Sequence, residues 1–323
     1  MEIKHKNSCF FKGKILFLCM MACIFTAFQT KAQTAPKPQA AQRTQTATRT
    51  QTAQKPQTTQ SSQKPQSSQK PQTDQTVTVN GVSFKMVFVK GGTFEMGTEY
   101  GEEDESPAHT VAVSDFFIGE TEVTQALWKA VMGDSPSYFR GDQLPVEGVS
   151  WNDCQEFIKK LNQLTGKKFM LPTEAQWEYA ARGGSKSKSF RFAGGDDIEK
   201  VAWYWKNSGK SYIKESDADW AADKIMYNDG QTHEVKTKLP NELGLYDMSG
   251  NVWEWCQDLY GKYGESGPTL QKDPKGATVG DARVLRGGSW YFYAQHCRIT
   301  NRNGNNPEYR YFHIGLRLVL AVR

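Results

Sequence analysis

A stretch of 43 residues, 33–75, most constrains what this chain can fold into, because it consists almost wholly of Gln, Thr, Ser, Pro, Lys and Ala. The hexamer SSQKPQ occurs in it twice, at 61–66 and 67–72. With so few apolar side chains, the stretch cannot bury enough surface to offset the entropy lost on ordering. We therefore expect a disordered tether over 33–77, which Pro residues keep extended. The Ser and Thr content leaves a glycan-carrying stalk as the alternative. A folded domain is then confined to 78–323.

The first 32 residues have the pattern of a secretory signal peptide. Four Lys residues precede the largely apolar run 15–28, and small residues at Thr30 and Ala32 suit cleavage after Ala32. The run is shorter than the roughly 20 residues that a membrane span needs. An uncleaved anchor and a lipid anchor on Cys23 are the alternatives. We predict an exported protein, located in the periplasm, at the outer-membrane surface or outside the cell.

The net charge of +5 misrepresents the folded part of the chain. Eleven of the 40 Lys and Arg residues, but two of the 35 acidic residues, precede residue 76. The remainder therefore holds 29 basic and 33 acidic residues, for a net charge of about −4. Nucleic-acid binding needs clustered basic residues, so the composition argues against such a partner.

Local patterns in the folded part predict short strands first and short helices after them. Alternating apolar residues predict strands over 82–89, 92–97 and 110–118, with a hairpin at Gly91-Gly92 between the first two. Helix-start signals at Thr121 or Thr124, Ser150 and Thr173 predict three helices, which Gly residues end. A last strand is expected over 315–320. The pattern is that of an α+β fold with long irregular loops, which usually carry function or bound ions.

Six phrases in a fixed order closely resemble the formylglycine-generating enzyme, or sulfatase-modifying factor, family. They are Phe88-Val-Lys-Gly-Gly-Thr-Phe-Glu-Met-Gly97, Glu120-Thr-Glu-Val-Thr124, Pro145-Val-Glu-Gly-Val-Ser-Trp151, Leu171-Pro-Thr-Glu-Ala-Gln-Trp-Glu-Tyr-Ala-Ala-Arg182, Gly244-Leu-Tyr-Asp-Met-Ser-Gly-Asn-Val-Trp-Glu-Trp255 and Arg286-Gly-Gly-Ser-Trp290. The resemblance implies an α+β fold related to C-type lectins, low in regular structure. It further implies kinship with oxidases that convert a sulfatase cysteine to formylglycine.

The segment 247–254 is predicted to bind calcium. Its carboxylates and a turn that presents main-chain carbonyls supply the hard oxygen ligands that calcium prefers. The resemblance implies Asp247, Gly250, Val252 and Glu254 as the ligands. The alternative is a turn stabilised by Asn251, with its tryptophans in the core.

The copper site of the oxidising members is incomplete in this chain. In those enzymes two cysteines five residues apart hold copper between soft thiolates, which suit Cu(I). The resemblance places the second cysteine on Cys297 and the first on Phe292, which cannot bind a metal. Copper binding and sulfatase oxidation by that route are therefore not expected.

Cys297 and Ser289 remain as catalytic candidates, and other roles compete for them. Cys256 is expected near Cys297, and in an oxidising compartment two close thiols form a disulfide more often than a metal site. Ser289 without a partner base is a turn hydroxyl. Cys154 has the spacing of a helix residue facing the core, and the histidines show no short metal-ligand spacing.

Two hypotheses follow. The first is an exported oxidase of the family, acting on a thiol or a phenol. The second is a non-catalytic, calcium-stabilised domain that binds a protein or glycan partner at the cell envelope, as a component of a secretion or gliding machine would. The tether and Phe292 favour the second, and membrane contact is then limited to an uncleaved signal or a lipid anchor.

Overall fold

A computed structural model describes residues 72–264 and 270–322. The predicted signal peptide and most of the predicted tether lie outside these residues. The described part has twelve strands: β1 (Gln75–Val79), β2 (Val82–Val89), β3 (Gly92–Met96), β4 (His109–Val113), β5 (Phe116–Gly119), β6 (Phe169–Met170), β7 (Trp253–Leu259), β8 (Gln271–Lys272), β9 (Arg283–Arg286), β10 (Arg302–Asn305), β11 (Ile314–Leu316) and β12 (Val319–Ala321). Its α-helices are α1 (Gln125–Met132), α2 (Trp151–Thr165), α3 (Glu174–Ala181), α4 (Ile198–Val201) and α5 (Ala222–Tyr227).

The strands form three small sheets. The largest has the order β1-β2-β5-β12-β6, the second β10-β9-β7-β11, and the third β3-β4-β8. Neighbouring strands are antiparallel except for the pairs β11–β7 and β4–β8, which are parallel. The C-terminal residues 314–321 thus add a strand to each of the two larger sheets and connect them.

The three predicted helices are confirmed, with their caps. The Thr124 side chain accepts a hydrogen bond from the Leu127 N–H at the start of α1. Ser150 and Asp153 form a reciprocal capping box for α2, and Thr173 and Gln176 form another for α3. Such side chains satisfy the main-chain donors that a helix start leaves unpaired.

The predicted hairpin at Gly91-Gly92 is wrong. Strand β2 pairs with β1 and β5, whereas β3 pairs with β4 in a different sheet. The chain changes sheet at Gly91, whose N–H donates to the Asp115 carboxylate at 2.9 Å. A Cβ at Gly91 would lie 2.3 Å from the Val113 carbonyl oxygen, so only glycine allows the two main chains to cross this closely.

Three other predicted boundaries differ from the structure. The strand expected over 110–118 divides into β4 and β5, because the chain leaves one sheet for another at Ser114–Asp115. The last strand divides into β11 and β12 for the same reason. Strand β1 begins at Gln75, three residues inside the segment that was assigned to the tether.

The core consists of two clusters of buried side chains. Helices α1 and α2 cover one side of the largest sheet, where the Trp128 and Phe157 rings stack with centroids 4.7 Å apart. Helix α3 is buried in the other cluster, between strands of all three sheets. None of the helices among the described residues is long and apolar enough to cross a membrane.

Candidate functional site

The loop after β9 folds back tightly on itself. Gly287 and Gly288 have φ values of 99° and 74°, in the left-handed region that glycine adopts without strain. Residues 294–297 form a short 3-10 turn that returns to this point. A Cβ at Gly288 would lie 2.8 Å from the Cys297 sulfur, so the two glycines bring the main chain against that thiol.

The Cys297 thiol is enclosed by the surrounding main chain and side chains. The side chain is fully buried, and burial raises its pKa to about 12 although the Ser289 main-chain N–H donates to the sulfur. Burial thus favours the protonated thiol over the thiolate, which is the form that attacks substrates.

Phe292 occupies the position that the resemblance assigns to a copper-binding cysteine. Its ring is half-buried and is surrounded by five other rings. The centroid distances are 6.1 Å to Trp220, 6.2 Å to Trp253, 5.4 Å to Tyr291, 5.2 Å to His296 and 5.2 Å to His313. The Trp220 ring is parallel to it and the other rings meet it edge to face, and contacts of both kinds are favourable beyond the burial of area alone. The site is consequently an aromatic cluster.

Ser289 is fully buried beside Cys297, and its hydroxyl accepts a hydrogen bond from the Tyr291 N–H at 3.4 Å. Among the described residues no histidine, lysine or carboxylate is bonded to this hydroxyl. A serine nucleophile needs such a base. The geometry is that of a turn hydroxyl.

The predicted disulfide between Cys256 and Cys297 is not formed in this structure. Cys154, Cys256 and Cys297 are all free and buried. Cys256 faces the second core cluster from β7, whereas Cys297 ends the 3-10 turn, with its carbonyl held by the Ser249 hydroxyl at 2.8 Å. Cys154 lies in the first core cluster, as predicted.

The segment 247–254 makes the sharp bends that a ligand loop requires. Asp247, Gly250 and Asn251 all have φ values between 58° and 81°. A Cβ at Gly250 would lie 2.2 Å from the Trp203 carbonyl oxygen, so this glycine packs directly on another loop. The local main chain therefore agrees with the predicted turn.

The two carboxylates of this segment have different partners. Glu254 accepts hydrogen bonds from Arg317 Nε at 3.0 Å, from Arg317 Nη2 at 2.7 Å and from Trp177 Nε1 at 2.7 Å. Asp247 accepts one main-chain N–H, that of Lys236, at 2.9 Å through Oδ2. Its Oδ1 has no bonded partner among the described residues. Asp247 is thus available to a cation, and Glu254 is already neutralised by a guanidinium.

Buried carboxyl groups outnumber buried guanidinium groups around these residues. Glu122, Asp247 and Glu254 are each at most 3% exposed, and Arg317 is the guanidinium that faces them. Burial raises the pKa of Asp247 to about 6 and that of Glu122 well above its usual range. Asp247 is therefore the carboxylate of this segment that a cation would use, and Glu254, already paired with Arg317, is not. No group of three or more His, Cys, Asp or Glu side chains in the described ranges is arranged to hold a metal, so a calcium ion at Asp247 would need main-chain carbonyl ligands.

Sequence reasoning missed a set of buried ion pairs that fix the loops around Cys297. Glu174 binds Arg302 at 2.6 Å, Glu178 binds Arg286, and Glu105 binds Arg298 at 2.5 Å. The signal was present in α3, where acids four residues apart lie on a helix with seven of its eight residues buried. Buried acids require paired cations.

Comparison with known proteins assigns the family. The model of the sulfatase-modifying factor enzyme 1-like domain matches residues 68–322. The chain belongs to the sulfatase-modifying factor family. The predicted α+β fold of the formylglycine-generating-enzyme type is confirmed with it.

Relatives of this sulfatase-modifying factor domain carry different names. A protein of Paenibacillus barcinonensis named chaperone protein LppX is 34% identical, covering 74% of this chain and 90% of the relative. A formylglycine-generating enzyme of Streptomyces coelicolor is 32% identical, covering 72% and 87%.

Solved structures of similar fold include Treponema denticola variable protein 1, with a TM-score of 0.67 and 32% identity over 77% of this chain and 99% of that one. PvdO from Pseudomonas aeruginosa has a TM-score of 0.57 and 25% identity, covering 74% and 94%. The family thus shares this sulfatase-modifying factor fold among proteins with different names.

Proposed function

We propose that this chain is an exported, non-catalytic member of the sulfatase-modifying factor family, which binds a protein or glycan partner at the cell envelope. The observation that carries the proposal is Phe292. The resemblance assigns the first copper thiolate of the oxidases to this position, so one cysteine of the pair, the buried Cys297, remains. One thiolate holds Cu(I) far more weakly than two.

Two further observations support a binding role. One relative, 90% of which is covered by the match, is named a chaperone protein. Chaperones act by binding other proteins. The N-terminal sequence has the features of an export signal followed by a spacer, and a spacer lets a domain reach a partner away from an anchor.

The test is an assay for formylglycine. The purified protein is incubated with copper and a Cys-x-Pro-x-Arg peptide, and the peptide mass is followed for the loss expected on aldehyde formation. The Streptomyces coelicolor relative serves as the positive control. We expect an unchanged peptide mass with this protein and conversion with the control. Formylglycine produced by this protein would overturn the non-catalytic proposal.

A further inference from the structure

A cleft with a volume of about 430 Å³ lies beside the 3-10 turn 294–297. Three arginines line it, Arg182, Arg191 and Arg298, and no acidic side chain does. This is unexpected in a folded region that carries more acidic than basic residues. Its volume falls within the range of small-molecule sites.

Arg182 is held in position from behind. Its Nε and Nη2 donate to Glu178 Oε1 at 2.9 and 2.7 Å, and Nη2 also donates to the Gly97 carbonyl at 2.9 Å. Glu178 is fully buried and also binds Arg286. Within the described ranges Arg182 Nη1 has no bonded partner, so this donor is fixed and available.

Arg298 is fixed in the same manner by a second buried acid. Its Nη1 and Nη2 donate to the two oxygens of Glu105 at 2.7 and 2.5 Å. This two-point pairing leaves the guanidinium little freedom to reorient. Arg298 therefore forms a rigid wall of the cleft and leaves most of the anion binding to its neighbours.

Among the described residues, Arg191 is the arginine of the three whose guanidinium is not paired with a carboxylate, although its main-chain N–H donates to Asp196 Oδ1 at 2.8 Å. It is exposed, and its Nη2 donates to Gln295 Oε1 at 3.2 Å, a neutral acceptor. The main chain at this residue is held by the Ile299 N–H, which donates to the Arg191 carbonyl at 3.1 Å. The rings of Tyr100 and Phe190 also line the cleft, beside these polar groups.

We propose that this cleft binds a small, sugar-sized ligand that carries an oxyanion, either a carboxylate or a phosphate. A guanidinium presents parallel N–H donors that match both groups, and the two buried acids orient Arg182 and Arg298 before a ligand arrives. The aromatic rings suit the less polar face of such a ligand. Phe292 does not line this cleft. The proposal rests on the proposed binding role and names the chemical class of the ligand.

The test is isothermal titration calorimetry of the full protein with three hexose-sized probes: glucuronate, glucose 6-phosphate and glucose. We expect one or both anions to bind and neutral glucose not to bind. Comparing the affinities of glucuronate and glucose 6-phosphate shows whether the site prefers a carboxylate or a phosphate. Arg191→Ala should weaken the binding by about tenfold to a hundredfold, since a charged hydrogen bond contributes about 1.5–3 kcal/mol. Binding should also weaken as salt is added.

Lys160→Ala is the control, because Lys160 is an exposed cation on α2 that does not line the cleft. It should leave the affinity within about twofold. Equal binding of glucose, no binding of either anion at millimolar concentration, or equal losses in the two variants would each overturn the proposal. The formylglycine assay is independent of these results, since a catalytic chain could also bind the anion.

Discussion

The ring of Phe292 meets the ring of His313 edge to face, with centroids 5.2 Å apart and planes at 86°. His313 is itself buried, and burial lowers its pKa to about 3, so the imidazole is neutral at physiological pH. An apolar ring packed against a neutral one forms a stable contact without a charge to satisfy. The position that defines the oxidases is thus part of the aromatic packing in this chain.

Removing Arg317 should destabilise the fold strongly. Arg317→Met leaves Glu254 buried without its cation, and breaking a buried pair in this way costs about 3–5 kcal/mol. The double variant with Glu254→Gln should recover part of the loss. Urea unfolding measures the free energy of unfolding of both variants. As a control, Lys129→Ala breaks an exposed pair with Asp142 and should lower the free energy of unfolding by less than about 1 kcal/mol. Equal losses of stability in the Lys129 and Arg317 variants would contradict a stabilising role of the buried Arg317–Glu254 pair.

Glu147 should make the protein less stable as the pH rises through neutrality. Burial raises its pKa from 4.5 to about 8, and its Oε2 is buried without a bonded partner. Between these two values the unfolded chain has released a proton that the folded chain keeps, so the free energy of unfolding falls with increasing pH. Over this pH range the free energy of unfolding falls by at most about 5 kcal/mol.

Glu147→Gln keeps the shape of the protonated acid and should flatten that dependence. The measurement is urea unfolding of the wild type and the variant at several values between about pH 5 and about pH 8. Parallel slopes for the two proteins would show that Glu147 is not the titrating group.

Calcium should stabilise the fold through Asp247. Calcium at a concentration about a hundredfold above its dissociation constant adds about 2.7 kcal/mol to the free energy of unfolding. This corresponds to a rise in Tm of about 5–10 °C for a domain of this size. Thermal unfolding in calcium and in EGTA measures the shift. Asp247→Asn should abolish it, and Asp142→Asn, an exposed control, should not. Identical Tm values in calcium and EGTA would contradict calcium binding.

The three cysteines of the folded part should react as buried free thiols. We expect Cys154, Cys256 and Cys297 to resist iodoacetamide in the native protein and to be alkylated after denaturation without reductant, since burial keeps each thiol protonated. Peptide mapping by mass spectrometry identifies the modified residues. A peptide pair joined through Cys256 and Cys297 would show instead that the bridge forms.

The sequence predicted the elements whose signals are local. Thr124, Ser150 and Thr173 located the helix starts because a cap and its partner lie within three residues. The hairpin prediction failed at Gly91 because that glycine serves a crossing with residues 113–115, which no local pattern reveals.

The candidate site was predictable as far as residue identities sufficed. Phe292 could be assigned from the resemblance alone, whereas the buried state of Cys297 depends on how Gly288 and the turn 294–297 fold together. The pairing of Glu254 with Arg317 joins residues 63 positions apart, so the prediction treated Glu254 as a free ligand.

The most direct test of the central claim, that Phe292 removes the copper centre, is a Cu(I) competition titration against bicinchoninate. The wild type, Phe292→Cys and the double variant Phe292→Cys with Cys297→Ser are compared. We predict that the wild type takes no Cu(I) from the competitor, that Phe292→Cys takes about one ion per chain, and that the double variant loses it again. Stoichiometric binding of Cu(I) by the wild type, lost on Cys297→Ser, would contradict the account.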